Sequence, residues 1–142
     1  MTPDDRAPRD AAGWVRVVWM DITAFCGATL APGVAIVADA CGLDERARDA
    51  DLVVTGEGRL DGQSAGGKTP VGVAGIAKRH GKPVVAFAGQ LGEGYRTLYD
   101  CGIDAMFSIC PGPMSLEASM ANAADLLADA AEAAARLCDL QK

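Results

Sequence analysis

Three short runs of β-forming or apolar residues stand out along the chain, at 52–55 (LVVT), 84–88 (VVAFA) and 105–109 (AMFSI). Each is apolar on both faces and bounded by turn-forming residues, the pattern of strands buried within a parallel sheet. Between them the spacing becomes helical. Thr69 is placed to cap a helix that has Pro70 at its first position, runs to Lys78 and Arg79, and stops at Gly81. Gly72 and Gly75 inside that helix read as points of close approach to the sheet. A shorter helix is expected around 95–101 and another from Gly33 to about Cys41. A last helix from near Ser115 carries Leu116, Met120, Ala123, Leu127, Ala134 and Leu137 along one face, with Glu117, Asp125, Asp129 and Glu132 largely elsewhere. That face, with the alanine-rich stretch 121–135, is expected to cover the sheet.

The order β-α-β-α-β-α predicts an α/β fold: an open parallel sheet of at least three strands with flanking helices on both faces. Ligands of such sheets gather at the carboxyl ends of the strands. Here the segments leaving those ends, 56–62, 89–94 and 111–113, are rich in glycine. The opposite edge, 46–51, 78–82 and 99–104, reads as ordinary charged, solvated connections. Short turns also need glycine, but the asymmetry between the two edges localises the site.

Composition narrows the ligand class. The formal charge is -6, so a nucleic-acid face or an anionic membrane surface, both of which need clustered Lys and Arg, is not expected. A phosphate remains compatible with that charge, because local amides and one or two cations decide its binding. Only 5% of residues are aromatic against 17 glycines, which points to a core built from small side chains. Five cysteines, Cys26, Cys41, Cys101, Cys110 and Cys138, have no Cys-x-x-Cys spacing and read as reduced thiols. No run approaches the ~20 apolar residues of a membrane helix, and the first ten residues do not resemble a signal peptide. A cytoplasmic location is expected.

The segment after the first strand concentrates chemistry. Glu57, Arg59, Asp61, Gln63, Ser64, Gly67, Lys68 and Thr69 lie within a few residues of one another. Phosphoryl transfer needs donors for the phosphate, a carboxylate for Mg²⁺ or for the attacking hydroxyl's proton, and fixed alignment of two substrates. Asp61 is the first candidate for a catalytic or Mg²⁺-linked carboxylate, with Glu57 second. Arg59 is placed to clamp a carboxylate or phosphate, and Lys68 to join the amides of Gly67 to Thr69 at a helix start. The bland alternatives are a capping Asp, an Arg–Asp ion pair within the loop and a solvated Lys. His80, the single histidine, falls on the opposite edge and reads as a surface residue.

Formally, residues 62–69 (GQSAGGKT) match the phosphate-loop pattern G-x-x-x-x-G-K-[ST] of nucleotide hydrolases. On the expected strand boundary, residues 56–61 separate this loop from the strand. Pro70 removes an amide just after Thr69, and no later strand ends in the metal-binding acid that such enzymes use. A dinucleotide fingerprint fails because Asp61 stands where its third glycine belongs.

The run Asp51-Leu-Val-Val-Thr-Gly-Glu-Gly-Arg-Leu-Asp61, then Gln63, Gly67-Lys68 and Pro70-Val71-Gly72-Val73-Ala74, resembles the signature of bacterial-type glycerate kinases. The likeness continues through Lys82-Pro83-Val84, Ala88-Gly89 and Gly102-Ile103-Asp104-Ala105-Met106-Phe107-Ser108. Upstream it takes in Leu30-Ala31-Pro32-Gly33-Val34, and overall it runs from about Phe25 to Leu137. It implies transfer of the γ-phosphate of ATP, with Mg²⁺, to a hydroxyl of D-glycerate. It also implies that the α/β domain, 23–142, is the C-terminal part of a larger two-domain fold. Residues 1–22, with Trp14 and Trp19, do not fit the pattern and are expected to form an atypical start. On this reading the chain is a truncated family member, and a noncatalytic ligand-binding remnant is the alternative to an active enzyme. Pairing into a homodimer is left open by the sequence.

Overall fold

A computed structural model describes residues 31–139. Residues 1–22, Cys26 and the chain up to Leu30 lie outside the described part, as do the last three residues. Two helices come first, α1 (Gly33–Ala40) and α2 (Leu43–Asp49). Then follow β1 (Val53–Leu60), a 3-10 turn (Gly62–Gly66), α3 (Thr69–Arg79), β2 (Val84–Leu91), a second 3-10 turn (Tyr95–Leu98), β3 (Ala105–Ser108), α4 (Leu116–Ala121) and α5 (Ala123–Asp139).

The strands form one parallel sheet, as expected from the three apolar runs, and its order is β1-β2-β3. Val53 pairs with Val84 and Leu60 with Leu91, while Val85 pairs with Ala105 and Ala88 with Ser108. The first two strands run further than their sequence boundaries, to Leu60 and Leu91, so residues 56–60 and 89–91 are strand rather than loop. Two of their glycines, Gly56 and Gly89, serve close pairing instead of turning. A Cβ at Gly56 would stand 2.4 Å from the Phe87 carbonyl oxygen, and one at Gly89 would stand 2.8 Å from that of Gly58. Strand glycines of this kind mark places where another backbone approaches.

α3 carries the chain from β1 to β2 and supplies the main helical layer over the sheet. Its Pro70, Ala74 and Ala77 are buried, and they meet a core of Val53, Leu60, Val84, Ala86, Ala88, Leu98, Ile103 and Met106. Leu60, Leu98 and Ile103 are the largest fully enclosed side chains, each stabilising the fold by roughly 1.5–3 kcal/mol through burial. The helix begins one residue earlier than expected, with Lys68 as its cap and Pro70 second. It ends at Gly81, whose φ of 66° lets the Lys82 amide reach back to the Ala77 carbonyl.

Four local expectations are corrected. Gly72 does not approach the sheet: a Cβ there would collide with Val34 of α1 at 2.5 Å, and Gly75 meets nothing. The helix expected over 95–101 is a four-residue 3-10 turn, entered through Gly94 at φ 74°. Part of the supposed open connection 46–51 is α2, which buries only Ala47 and is tied to α3 by Arg79–Asp44 at 2.7 Å. Finally, α4 and α5 are separated at Asn122 and neither buries a residue, so the apolar face that was to cover the sheet stands largely open.

Candidate active site at the carboxyl rim

The carboxyl end of β1 gathers most of the polar groups named from sequence. Glu57 pairs with Ala88, two positions before Arg59 pairs with Gln90. Asp61 then leaves the strand and caps the 3-10 turn: its Oδ1 accepts the Gln63 amide at 3.0 Å. Ser64, three residues on, completes a capping box by accepting the Asp61 amide at 3.3 Å. Its hydroxyl donates to Glu57 Oε1 at 2.6 Å. Ser64 is fully buried, and it joins the strand carboxylate to the turn.

Arg59 closes the cluster. Its Nε donates to Asp61 Oδ2 at 3.1 Å, with the Asp61 side chain 17% exposed and that of Arg59 55%. A longer contact of 3.5 Å runs from Nη1 to Gln90 Oε1. The guanidinium is thus held through Nε and Nη1, with Nη2 making no hydrogen bond among the described residues, and such a fork suits a carboxylate or phosphate. Gly92 makes room for it, since a Cβ there would lie 2.8 Å from Arg59 Nε and 3.0 Å from Asp61 Cβ.

The segment after β2 is laced to the same place. The Gly62 amide donates to the Glu93 carbonyl at 3.0 Å and the Gly92 amide to the Leu60 carbonyl at 2.7 Å. Gln90, Gly92 and Glu93 therefore belong to the rim. Their sequence marked a glycine-rich strand end but gave no role to any one of them. Lys68 and Thr69 are exposed at the start of α3, where Lys68 makes no ion pair with the described residues. The structure thus joins Glu57, Arg59, Asp61, Gln63 and Ser64 by direct bonds, and leaves Gly67, Lys68 and Thr69 at the far end of the turn.

The phosphate-loop reading loses its basis here for a reason other than strand spacing. Because β1 continues to Leu60, the 62–69 segment follows the strand closely after all. Its first three amides, however, are occupied: Gly62 by the Glu93 carbonyl, Gln63 by the Asp61 carboxylate and Ser64 by the Asp61 carbonyl. A phosphate cradle needs such amides free.

The opposite rim is held by structural pairs. Lys78 Nζ lies 2.6 Å from Asp104 Oδ2, which also accepts the Val84 amide at 2.6 Å. The Lys78 ammonium, then that amide, hold the Asp104 carboxyl below its ordinary range. His80 sits there too, 3.1 Å from Asp44 and away from the cluster. The described cysteines, Cys41, Cys101, Cys110 and Cys138, are all free thiols. Among the described residues no group of three metal-ligating side chains occurs, and no helix is long and apolar enough to cross a membrane.

A parallel α/β sheet whose carboxyl rim carries linked carboxylates and an exposed arginine places the chain in the class of α/β proteins whose ligands gather at the carboxyl ends of the strands. Within that class the chain belongs to the glycerate kinase family, whose profile matches residues 11–139. The matched span begins inside the 1–22 segment that the sequence pattern set apart. The chain is 50% identical over 110 residues to a glycerate kinase of Halalkalibacterium halodurans, covering 78% of this chain and 29% of that protein. It is 43% identical over 104 residues to the glycerate 2-kinase of Escherichia coli K12, covering 73% of this chain and 27% of that one. A crystal structure from Salmonella typhimurium LT2, described as a glycerate kinase 2, superposes with a TM-score of 0.61 at 43% identity, over 86% of this chain and 30% of the other. The chain thus spans about three-tenths of the length of these relatives.

Proposed function

We propose that the chain serves ATP-dependent phosphorylation of D-glycerate to a phosphoglycerate, with the carboxyl rim of β1 handling the acid and the transferring phosphate. The observation that carries this reading is the Glu57–Ser64–Asp61–Arg59 chain of hydrogen bonds, which lies within the stretch matched to the family. Arg59 receives a carboxylate or phosphate on its outer N–H groups. Glu57 Oε2 has no partner among the described residues and accepts the proton of the attacking hydroxyl as the hydroxyl oxygen bonds to the γ-phosphorus and the bond from that phosphorus to the ADP oxygen breaks, releasing ADP. Asp61 holds Arg59 in line, and Gln63 and Ser64 hold Asp61 and Glu57. Lys68, with Gly67 and Thr69 at the start of α3, adds positive potential for the nucleotide's phosphates.

Mg²⁺ fits this arrangement. That ion keeps several waters and binds through one or two carboxylates plus phosphate oxygens, and the Asp61 carboxylate stands at the rim with each of its oxygens accepting a single hydrogen bond, Oδ1 from the Gln63 amide and Oδ2 from Arg59 Nε. Asp61 would hold it, and when bound it would neutralise charge on the phosphate oxygens.

ADP release followed in the presence and absence of D-glycerate tests the reading. Turnover that needs D-glycerate and is lost in Asp61→Ala supports it. ATP hydrolysis indifferent to glycerate would instead mark a nucleotide hydrolase, and ligand binding without turnover a noncatalytic role.

A further inference from the structure

Gln90 is the cross-strand neighbour of Arg59. The two are register partners on β2 and β1, and both side chains are exposed at the carboxyl rim. Register partners on adjacent strands share one face of a sheet, and Gln90, Arg59 and Glu57 line the same open cavity. The backbone that carries Gln90 is fixed on both sides. Gly89 leaves no room for a Cβ beside the Gly58 carbonyl, and the Gly92 amide donates to the Leu60 carbonyl at 2.7 Å. A side chain on such an anchored strand end is placed more precisely than one on a loop.

The Gln90 amide also has a defined direction. A guanidinium only donates, so it is the oxygen Oε1 that faces Arg59 Nη1, at 3.5 Å. That leaves the two N–H donors of Nε2 without a hydrogen bond among the described residues. Support of Arg59 does not account for the residue, because 3.5 Å is beyond the usual range of an N–H···O bond and Asp61 already holds Nε at 3.1 Å. The rim thus offers a charged donor, Arg59, beside a neutral one, Gln90.

These two donors differ in what they select. A guanidinium binds a carboxylate or phosphate through charge-assisted hydrogen bonds, whereas a neutral amide N–H suits an uncharged oxygen. With Arg59 on the carboxylate and Glu57 Oε2 accepting from the attacking hydroxyl, one polar group of a dihydroxy acid is left without a partner, its other hydroxyl. We infer, resting on the proposed phosphoryl transfer, that Gln90 is a specificity-determining residue: its Nε2 donates to the hydroxyl that is not phosphorylated, and the site thereby selects dihydroxy over monohydroxy acids.

Titration of the isotopically labelled full chain with four acids, followed by amide chemical shifts in the absence of nucleotide, tests the inference. The acids are D-glycerate, D-lactate without the 3-hydroxyl, 3-hydroxypropanoate without the 2-hydroxyl, and propanoate without either. The parent is expected to bind D-glycerate about two- to tenfold more tightly than each monohydroxy acid, the range for one neutral hydrogen bond. Gln90→Ala should close one of those two gaps, keep the other, and leave propanoate unaffected. Gln90→Met, which keeps the length of the side chain without its N–H groups, carries the same test should the alanine variant lower the urea midpoint. Gln90→Glu sets an anion beside the guanidinium and should weaken all four acids, more so at low ionic strength. Both gaps persisting in Gln90→Ala would overturn the inference alone, as would unaltered affinities in Gln90→Glu. An equal loss for all four acids in Gln90→Ala would also overturn it, by reducing Gln90 to a prop for Arg59. Failure of the parent to bind D-glycerate saturably would overturn the proposed function, and this inference with it.

Discussion

Replacing Ser64 by Ala probes the joint on which the rim depends. The hydroxyl donates to the Glu57 carboxylate at 2.6 Å and accepts the Asp61 amide at 3.3 Å, and the residue is fully buried. A hydrogen bond to a charged group contributes about 1.5–3 kcal/mol, and the longer amide contact lies at the weak end of the neutral range. Glu57 is half-buried, so water recovers part of the lost bond. The expected net cost is therefore about 2 kcal/mol. With a slope of roughly 2 kcal/mol/M for a domain this size, the urea midpoint should fall by about 1 M. Equilibrium unfolding followed by far-UV circular dichroism reads this directly, with the exposed neighbour Gln63→Ala as a control, since only the Gln63 backbone joins the cluster. A Ser64→Ala midpoint within about 0.2 M of the parent would refute the claim that this hydroxyl ties strand to turn.

Gly92→Ala should dislodge Arg59 without altering any charged residue, because the new methyl would stand 2.8 Å from Arg59 Nε. Glycerate and MgATP affinity is expected to fall about tenfold or more with a small change in unfolding midpoint, and unchanged affinity would disprove the anchoring role. Gly56→Ala should destabilise by about 1–3 kcal/mol through its clash with the Phe87 carbonyl. Gly58→Ala, which meets nothing, should be neutral or stabilising by up to about 1 kcal/mol in the isolated chain; similar losses at both sites would contradict the pairing geometry. Asp104 has its carboxyl lowered in the folded state by Lys78 and the Val84 amide. Its contribution is therefore present above the unfolded value near 3.8 and disappears as pH falls through the lower folded value. Both side chains of the Lys78–Asp104 pair are more than a third exposed, so Lys78→Met should cost no more than about 1 kcal/mol at neutral pH. The difference should vanish in acid urea titrations, and a difference that grows in acid would reverse the assigned sign.

The strands' central residues and α3 were legible because short apolar runs bounded by turn residues and a Pro-to-Gly helix leave strong local signals. The ends of β1 and β2 were not: Gly56, Gly58 and Gly89 look like loop residues until β2 is seen to lie against β1. α2 escaped notice because LDERARD offers one buried alanine and no apolar stripe. For α4 and α5 periodicity named an apolar face but not what covers it: of that face only Ala134 is half-buried, while Leu126 and Ala130 on α5 are half-buried without having been named. At the rim, the concentration of Glu57, Arg59 and Asp61 was visible as residue types in one segment. The central place of Ser64 was not, since its importance comes from burial and from a partner seven residues back in the strand.

Amide chemical shifts of the isotopically labelled full chain, recorded while D-glycerate and MgATP are added, test most directly whether the β1 rim is where ligands arrive. Perturbations should concentrate at residues 57–69 and 89–94 and shrink in Arg59→Ala. Shifts confined to 78–82 and 99–104 at the other end of the strands, or saturable binding that leaves 57–69 unmoved, would contradict it.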